Sequence, residues 1–107
     1  MVISPKGVRF SVDVKGLHKK NFWQVRKKEK SHDKLFYVFA LVPSKTGSHN
    51  RFFVLTESQV NAGIRHDDAH ARSIRKRKGL SGSPAGRTGV LWKFGERYEN
   101  AWHVLPK

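Results

Sequence analysis

The chain has 107 residues, the length of one domain, and a formal net charge of +14 that results from 22 Lys and Arg against 8 Asp and Glu. Its aromatic and β-branched content is too high for a chain disordered throughout, and its longest apolar run is far shorter than the about 20 residues of a membrane-spanning helix. The lack of cysteine excludes disulfides, thiolate metal sites and cysteine nucleophiles. Polar and charged residues among the first ten predict that no signal peptide is present, and we expect a cytoplasmic protein.

Strict alternation of apolar and polar side chains over residues 8–15 predicts the first long strand. The face that we expect to point into the core carries Val8, Phe10, Val12 and Val14. The opposite, polar face carries Arg9, Ser11, Asp13 and Lys15. Gly16 is predicted to end this strand, and residues 1–3 are predicted to form the stub of a preceding one.

Further strands are predicted over residues 21–26, 35–42, 51–55 and 90–94. The continuously apolar run 35–42 is typical of a strand that is buried on both faces. Thr56 and Gln59 have the spacing of a capping box and predict the start of a long helix, which Gly79 is predicted to end after a run of cations. Residues 79–89 are rich in Gly and Ser and predict a flexible loop.

These elements predict a single α+β domain over residues 1–107, with a mixed or antiparallel sheet of about four strands and one main helix. The strand at 35–42 needs cover on both faces, and one helix covers only one of them. We expect the second face to be covered by the C-terminal apolar segment, in which Trp102 is expected to be buried, or by another subunit. On this argument we predict a homodimer.

The positive charge is clustered, which favours DNA or RNA as the partner. Residues 15–34 contain eight Lys and Arg, and a second cluster lies in the last turns of the predicted helix. Cations in loops and at a helix end suit contacts with backbone phosphates. Trp23 lies between basic residues and is the best candidate to stack on a base. The candidate phosphate-binding residues are Arg9, Lys19, Lys20, Arg26, Lys27, Lys28, Arg72, Arg75, Lys76, Arg77 and Lys78.

Asp13 and Lys15 lie two residues apart on the predicted strand and therefore project from one face. The Asp13 carboxylate can hold Mg²⁺, which activates water and neutralises charge on a phosphate. Lys15 can orient or deprotonate that water, or stabilise the transition state. Both are therefore candidate catalytic residues, with Asp13 as the metal ligand, although an exposed ion pair is the more usual meaning of this spacing.

The elements around this motif follow in a fixed order: the Asp13-Val14-Lys15 strand, Gly16, a basic loop with Trp23, a buried strand, a strand with Phe52-Phe53-Val54, a capped helix, and a terminal segment with Tyr98 and Trp102. This order resembles small proteins of the PD-(D/E)xK nuclease superfamily, in particular uncharacterised nuclease-like proteins carried on mobile gene cassettes. The resemblance covers about residues 8–106 and implies a restriction-endonuclease-like core. It also implies that Asp13 takes the acidic position of the motif, Lys15 the lysine position, and the Val14 carbonyl a further place among the metal ligands.

The chain departs from that family before the motif. The family core has a first helix with an acidic residue and a strand with a metal-binding Asp, whereas no acidic residue precedes Asp13 and the predicted elements lack that first helix. Three explanations stay open. The chain is a truncated or degenerate member without catalysis, a second subunit completes the site, or the likeness extends to the fold alone.

Three functions follow as hypotheses. The first is a basic nucleic-acid-binding protein with a reduced nuclease-like fold, and the alternatives are a Mg²⁺-dependent phosphodiesterase that uses Asp13 and Lys15, and a protein-interaction module of a mobile element. His66 and His70 lie one helical turn apart, as the zinc ligands of HExxH helices do. No third ligand is recognisable, so for these histidines we favour a solvated helix face.

Overall fold

The computed structural model describes residues 2–25, 34–44, 47–80 and 88–107. Within these ranges it has the α+β organisation that the sequence predicts. The strands are β1 (Val2–Ile3), β2 (Arg9–Leu17), β3 (Phe22–Gln24), β4 (Leu35–Leu41), β5 (Arg51–Thr56) and β6 (Gly89–Leu91). The helices are α1 (Glu57–Arg77) and the short α2 (Trp92–Gly95), which two 3₁₀ turns follow at Glu96–Tyr98 and Trp102–Val104.

The main sheet has four strands in the order β1-β2-β4-β5. β2 and β4 run parallel, whereas β1 pairs with β2 and β5 with β4 in antiparallel fashion, so the sheet is mixed. In the parallel pair Asp13 lies beside Tyr37 and Lys15 beside Phe39. β3 and β6 form a separate antiparallel pair, which we call the ribbon.

Several strand boundaries differ from the predicted ones by one to three residues, and for two of them the structure shows the reason. β2 continues through Gly16, because its last residue Leu17 pairs with Leu41 and accepts a hydrogen bond of 2.7 Å from the backbone N–H of Val42. β6 ends at Leu91, since its partner β3 begins at the residue opposite, and the chain then turns into α2. Residues 81–87 of the predicted flexible loop lie outside the described residues.

The core lies between one face of the main sheet, here called the inner face, and a layer made of α1 and the ribbon. Trp23 of the ribbon stacks on Phe39 of β4, with 4.9 Å between ring centroids and 10° between ring planes. Its indole N–H donates to the Ala40 carbonyl at 3.3 Å. Val60 of α1 and Val90 of the ribbon complete the buried cluster on this side.

The polar side of β2 lies on the inner face, which corrects the predicted orientation of this strand. Asp13 and Lys15 share their face with the core residues Tyr37 and Phe39, whereas Val14 on the opposite, outer face is 65% exposed. The alternation along β2 shows which residues share a face. It does not show which face the rest of the chain covers, because both faces of β4 are apolar.

Both ends of α1 are those that the sequence predicts. The Thr56 hydroxyl accepts a hydrogen bond from the Gln59 backbone N–H at 3.2 Å, and the Gln59 side-chain oxygen accepts from the Thr56 N–H at 2.9 Å, which completes the capping box. At the far end Gly79 takes a positive φ of 73° and donates to the Lys76 carbonyl. No residue of α1 beyond Gly63 is buried, so its distal half extends past the core.

The C-terminal segment lies along β5. The backbone of Glu99 forms an isolated antiparallel β-bridge with Phe53. The Arg51 guanidinium donates to both Glu99 carboxylate oxygens, at 2.8 and 2.9 Å. These hydrogen bonds lower the pKa of Glu99 and raise that of Arg51. Trp102 contacts Phe52 but is 46% exposed, so the expectation that it is buried is wrong. It belongs to the short 3₁₀ turn at Trp102–Val104, which packs on β5.

Among the described residues, no helix combines the length and the apolar character that a membrane span requires.

Candidate nucleic-acid interface

An open groove of about 470 Å³ lies where the end of β2 meets β3. Its lining residues are Lys15, Gly16, Leu17, Asn21, Phe22, Trp23 and Gln24. The register of β2 with β4 turns Lys15 towards the ribbon, so its ammonium group lies at the groove instead of on the outer face of the sheet. This cation is therefore placed where an extended anionic chain can approach it.

Asp13 and Lys15 project from one face and form an ion pair, with 3.5 Å between Oδ1 and Nζ. The side chains are 30% and 40% exposed, respectively. A half-exposed pair of this kind contributes little to stability, because water screens it. Both groups therefore stay accessible to a ligand that enters from solvent.

Tyr37 is buried beside Asp13, and the negative charge of a second carboxylate, that of Glu57, also acts on its phenol. Burial raises the pKa of its phenol, and the negative charges of Asp13 and Glu57 raise it further. Glu57 is the first residue of α1 and is itself buried. The sequence analysis missed this residue. Its signal was an acid in the first helical turn directly after a core strand, which reads equally well as an ordinary helix-dipole contact.

The fit of Mg²⁺ to this region rests on few donors. Among the residues that the structure describes, no three or more His, Asp or Glu side chains are grouped so as to hold a metal ion. A site that uses one or two carboxylates together with phosphate oxygens needs fewer protein ligands. Magnesium at Asp13 therefore stays a prediction.

His66 packs against the Phe94 ring at 5.7 Å between centroids, as a residue on the helix surface does.

The turn after β2 adds cations next to the groove. Lys19 and Lys20 are exposed, and the Lys20 ammonium lies 4.8 Å from the centroid of the Trp92 ring. A cation–π contact of this kind holds the ammonium in place and leaves its outer side to solvent. Arg9, at the start of β2, is exposed as well.

A second group of cations lies at the end of α1, here called the helix tip (residues 75–78). Lys76, Arg77 and Lys78 are exposed, whereas Arg75 is half-buried. One turn earlier Arg72 pairs with Asp68 at 2.8 Å. Among the described residues no carboxylate pairs with Lys76, Arg77 or Lys78. The helix tip is thus an exposed cationic end on a helix that extends past the core.

The structure corrects one candidate and leaves three others undescribed. Trp23 is buried between Phe39 and Phe53, so it is a core residue and is not available to stack on a base. The basic flanks that suggested an exposed ring belong to a short strand whose middle residue faces the core. Arg26, Lys27 and Lys28 lie outside the described residues.

Comparison with known proteins adds no relative: no family model matches the chain, and neither a curated protein nor a solved structure matches it.

Proposed function

We propose that this protein binds nucleic acid, mainly through contacts between its cations and backbone phosphates. The observation that carries the proposal is the helix tip, where exposed cations are concentrated on a projecting helix. A charge of +14 destabilises a compact chain of this size, and a polyanion relieves that repulsion. Cations on a projecting helix can reach phosphates without deforming the core.

Lys15, Lys19 and Lys20 at the groove provide a second contact region in this proposal. Each is a point charge on a flexible stem, which suits phosphate oxygens and carries no base preference. We therefore propose that affinity depends on charge and that sequence specificity is low.

A reduced nuclease-like core with Mg²⁺ is a finer proposal for the same region. Its support is the Asp13–Lys15 pair beside the groove, together with a second carboxylate, Glu57, that acts on the same buried phenol as Asp13. Asp13 would hold the metal, which would supply an activated water and neutralise charge on the phosphate. Lys15 would bind the phosphate next to it.

Neutralising the helix tip tests the binding proposal. We expect Lys76→Gln/Arg77→Gln/Lys78→Gln to weaken binding of a fluorescent DNA or RNA oligonucleotide by at least about tenfold, measured by anisotropy at moderate salt, because several phosphate contacts are lost. The matched control removes three exposed charges elsewhere, Lys6→Gln/Lys93→Gln/Lys107→Gln, and should weaken binding clearly less.

Two results would contradict this proposal. Equal losses in both triple variants would show that the helix tip has no special role, and absence of binding by the unmodified protein would leave an acidic protein as the better partner.

Repeating the titration with Mg²⁺ tests the nuclease alternative. Cleavage of the oligonucleotide that Asp13→Asn abolishes would replace binding by hydrolysis as the function.

A further inference from the structure

Among the residues that the structure describes, nothing pairs with most of the edge of β2 that faces away from β4. β1 pairs only with Arg9 and Phe10, and no described residue pairs with the same edge over residues 11–17. Space is also free on the outer face above this stretch, since a Cβ added to Gly16 would contact nothing within 4 Å. Val14, at the midpoint of the stretch, is 65% exposed. An open strand edge of this length is a template for pairing with another strand.

The hydrogen-bonding groups at this edge belong to alternate residues. The Ser11 backbone N–H donates to the Lys34 carbonyl, and the Leu17 carbonyl accepts from the Val42 N–H. The odd-numbered residues of β2 therefore direct their backbone groups towards β4. The N–H and C=O groups of the even-numbered residues, Val12, Val14 and Gly16, therefore point to the open edge. In an antiparallel pair these three residues would occupy the hydrogen-bonded positions, in which opposite residues exchange both N–H···O=C bonds.

The side chains of β2 select one register for pairing with a second copy of itself. A two-fold axis at Val14 places Val14 opposite Val14 of the second copy, and Val12 opposite Gly16, so all outward backbone groups find partners. The same axis places each Asp13 opposite a Lys15. These are non-hydrogen-bonded positions, in which Cα atoms are only about 4.5 Å apart and opposite charges attract.

Neighbouring registers lack this complementarity. An axis at Asp13 would place the two Asp13 carboxylates opposite each other, and an axis at Lys15 would do the same with two ammonium groups. An axis at Val12 would place Phe10 of one copy opposite Val14 of the other, but the backbone of Phe10 already pairs with β1. Only the axis at Val14 uses the whole open stretch and pairs each charge with its opposite.

We infer that the protein forms a symmetric dimer through antiparallel pairing of β2 with β2 of a second copy, centred on Val14. The two main sheets then join into one continuous sheet. On the outer face the exposed Val14 side chains cover each other, while the Asp13 and Lys15 side chains of both copies form a four-charge cluster on the inner face. This dimer differs from one that covers an open face of the sheet, because the strand edge makes the contact.

Sedimentation velocity over a range of protein concentrations tests this inference without nucleic acid, in salt that screens the repulsion between the two +14 chains. We expect the unmodified protein to form a species of twice the 12.3 kDa chain mass. Val14→Lys places two ammonium groups on the axis and should raise the dimer dissociation constant by at least about tenfold. Leu80→Lys changes another exposed apolar residue to Lys and should leave the dimer intact.

Charge exchange tests the register. Asp13→Lys alone should weaken the dimer because Lys residues then face each other, and the double variant Asp13→Lys/Lys15→Asp should restore dissociation to within about threefold of the unmodified protein. The inference is overturned if the unmodified protein sediments as a monomer at every concentration, if Val14→Lys remains a dimer, or if the double variant dissociates as readily as the single one. None of these outcomes depends on nucleic-acid binding.

Discussion

Tyr37 is the residue whose surroundings most directly affect a measurable property of the protein. Its phenol is buried, with Asp13 and Glu57 close enough for their negative charges to act on it, and its pKa lies above the ordinary 10.0. Because the unfolded chain loses this proton at a lower pH than the folded protein, the neutral phenol contributes stability that is complete below about pH 10. That stability is lost as the pH rises from there through the raised pKa of the folded state.

Tyr37→Phe removes this titration. We expect the free energy of unfolding of the unmodified protein to fall more steeply between about pH 9 and pH 11 than that of Tyr37→Phe, because only the former must ionise a buried phenol. Urea denaturation at several pH values measures the difference, and Tyr98→Phe serves as the control on a half-buried tyrosine. If the unfolding free energies of Tyr37→Phe and the unmodified protein changed with pH in parallel, the claim that burial and the two carboxylates raise the pKa of Tyr37 would be contradicted.

Residue environments were the least predictable level from the sequence. Trp23 is buried and Trp102 is half-exposed, the reverse of the expectation in both cases. Local composition suggested an exposed Trp23, but ring burial is decided by which elements pack together. Gly89 is a similar case, since it closes the predicted flexible loop but lies buried in β6, where an added Cβ would collide with the Trp23 carbonyl oxygen.

At the scale of elements, α1 is the best-determined part of the fold, because local chemistry fixes both of its ends. The capping box at Thr56 and the glycine at position 79 each act on backbone groups only a few residues away along the chain, so the sequence alone predicts them. The orientation of β2 depends on distant partners. Its alternating pattern predicted the strand but assigned the wrong face to the core, because that choice depends on where α1 and the ribbon pack.

Removal of the Thr56 hydroxyl should destabilise the protein by about 1 kcal/mol, since one backbone N–H at the start of α1 then loses its partner. Thr56→Ala and Thr56→Ser can be compared by thermal or urea denaturation. Ser keeps the hydroxyl and should retain most of the stability. An equal loss in both variants would show that packing of the Thr methyl group, and not the capping hydrogen bond, is what matters.

For the whole molecule, the distribution of charge is the feature from which function is inferred. The carboxylates in the ion pairs of the described residues are those of Asp13, Asp68, Glu96 and Glu99. They pair with Lys15, Arg72 and Arg51, which leaves the turn after β2 and the helix tip strongly positive. The sequence predicted both cation clusters, because charge is visible without a fold. It could not predict that Lys15 lines a groove, since that depends on β3 of the ribbon lying next to the end of β2.

The most direct test of the central claim is the salt dependence of nucleic-acid affinity. If backbone phosphates are the main contacts, the logarithm of the association constant should fall linearly with the logarithm of the salt concentration, with a slope of roughly −0.9 per contact for double-stranded DNA. The helix-tip triple variant should show a slope less steep by roughly one unit per lost contact. An affinity that does not change with salt, or an unchanged slope in the variant, would contradict the claim that the exposed cations of α1 bind a sugar-phosphate chain.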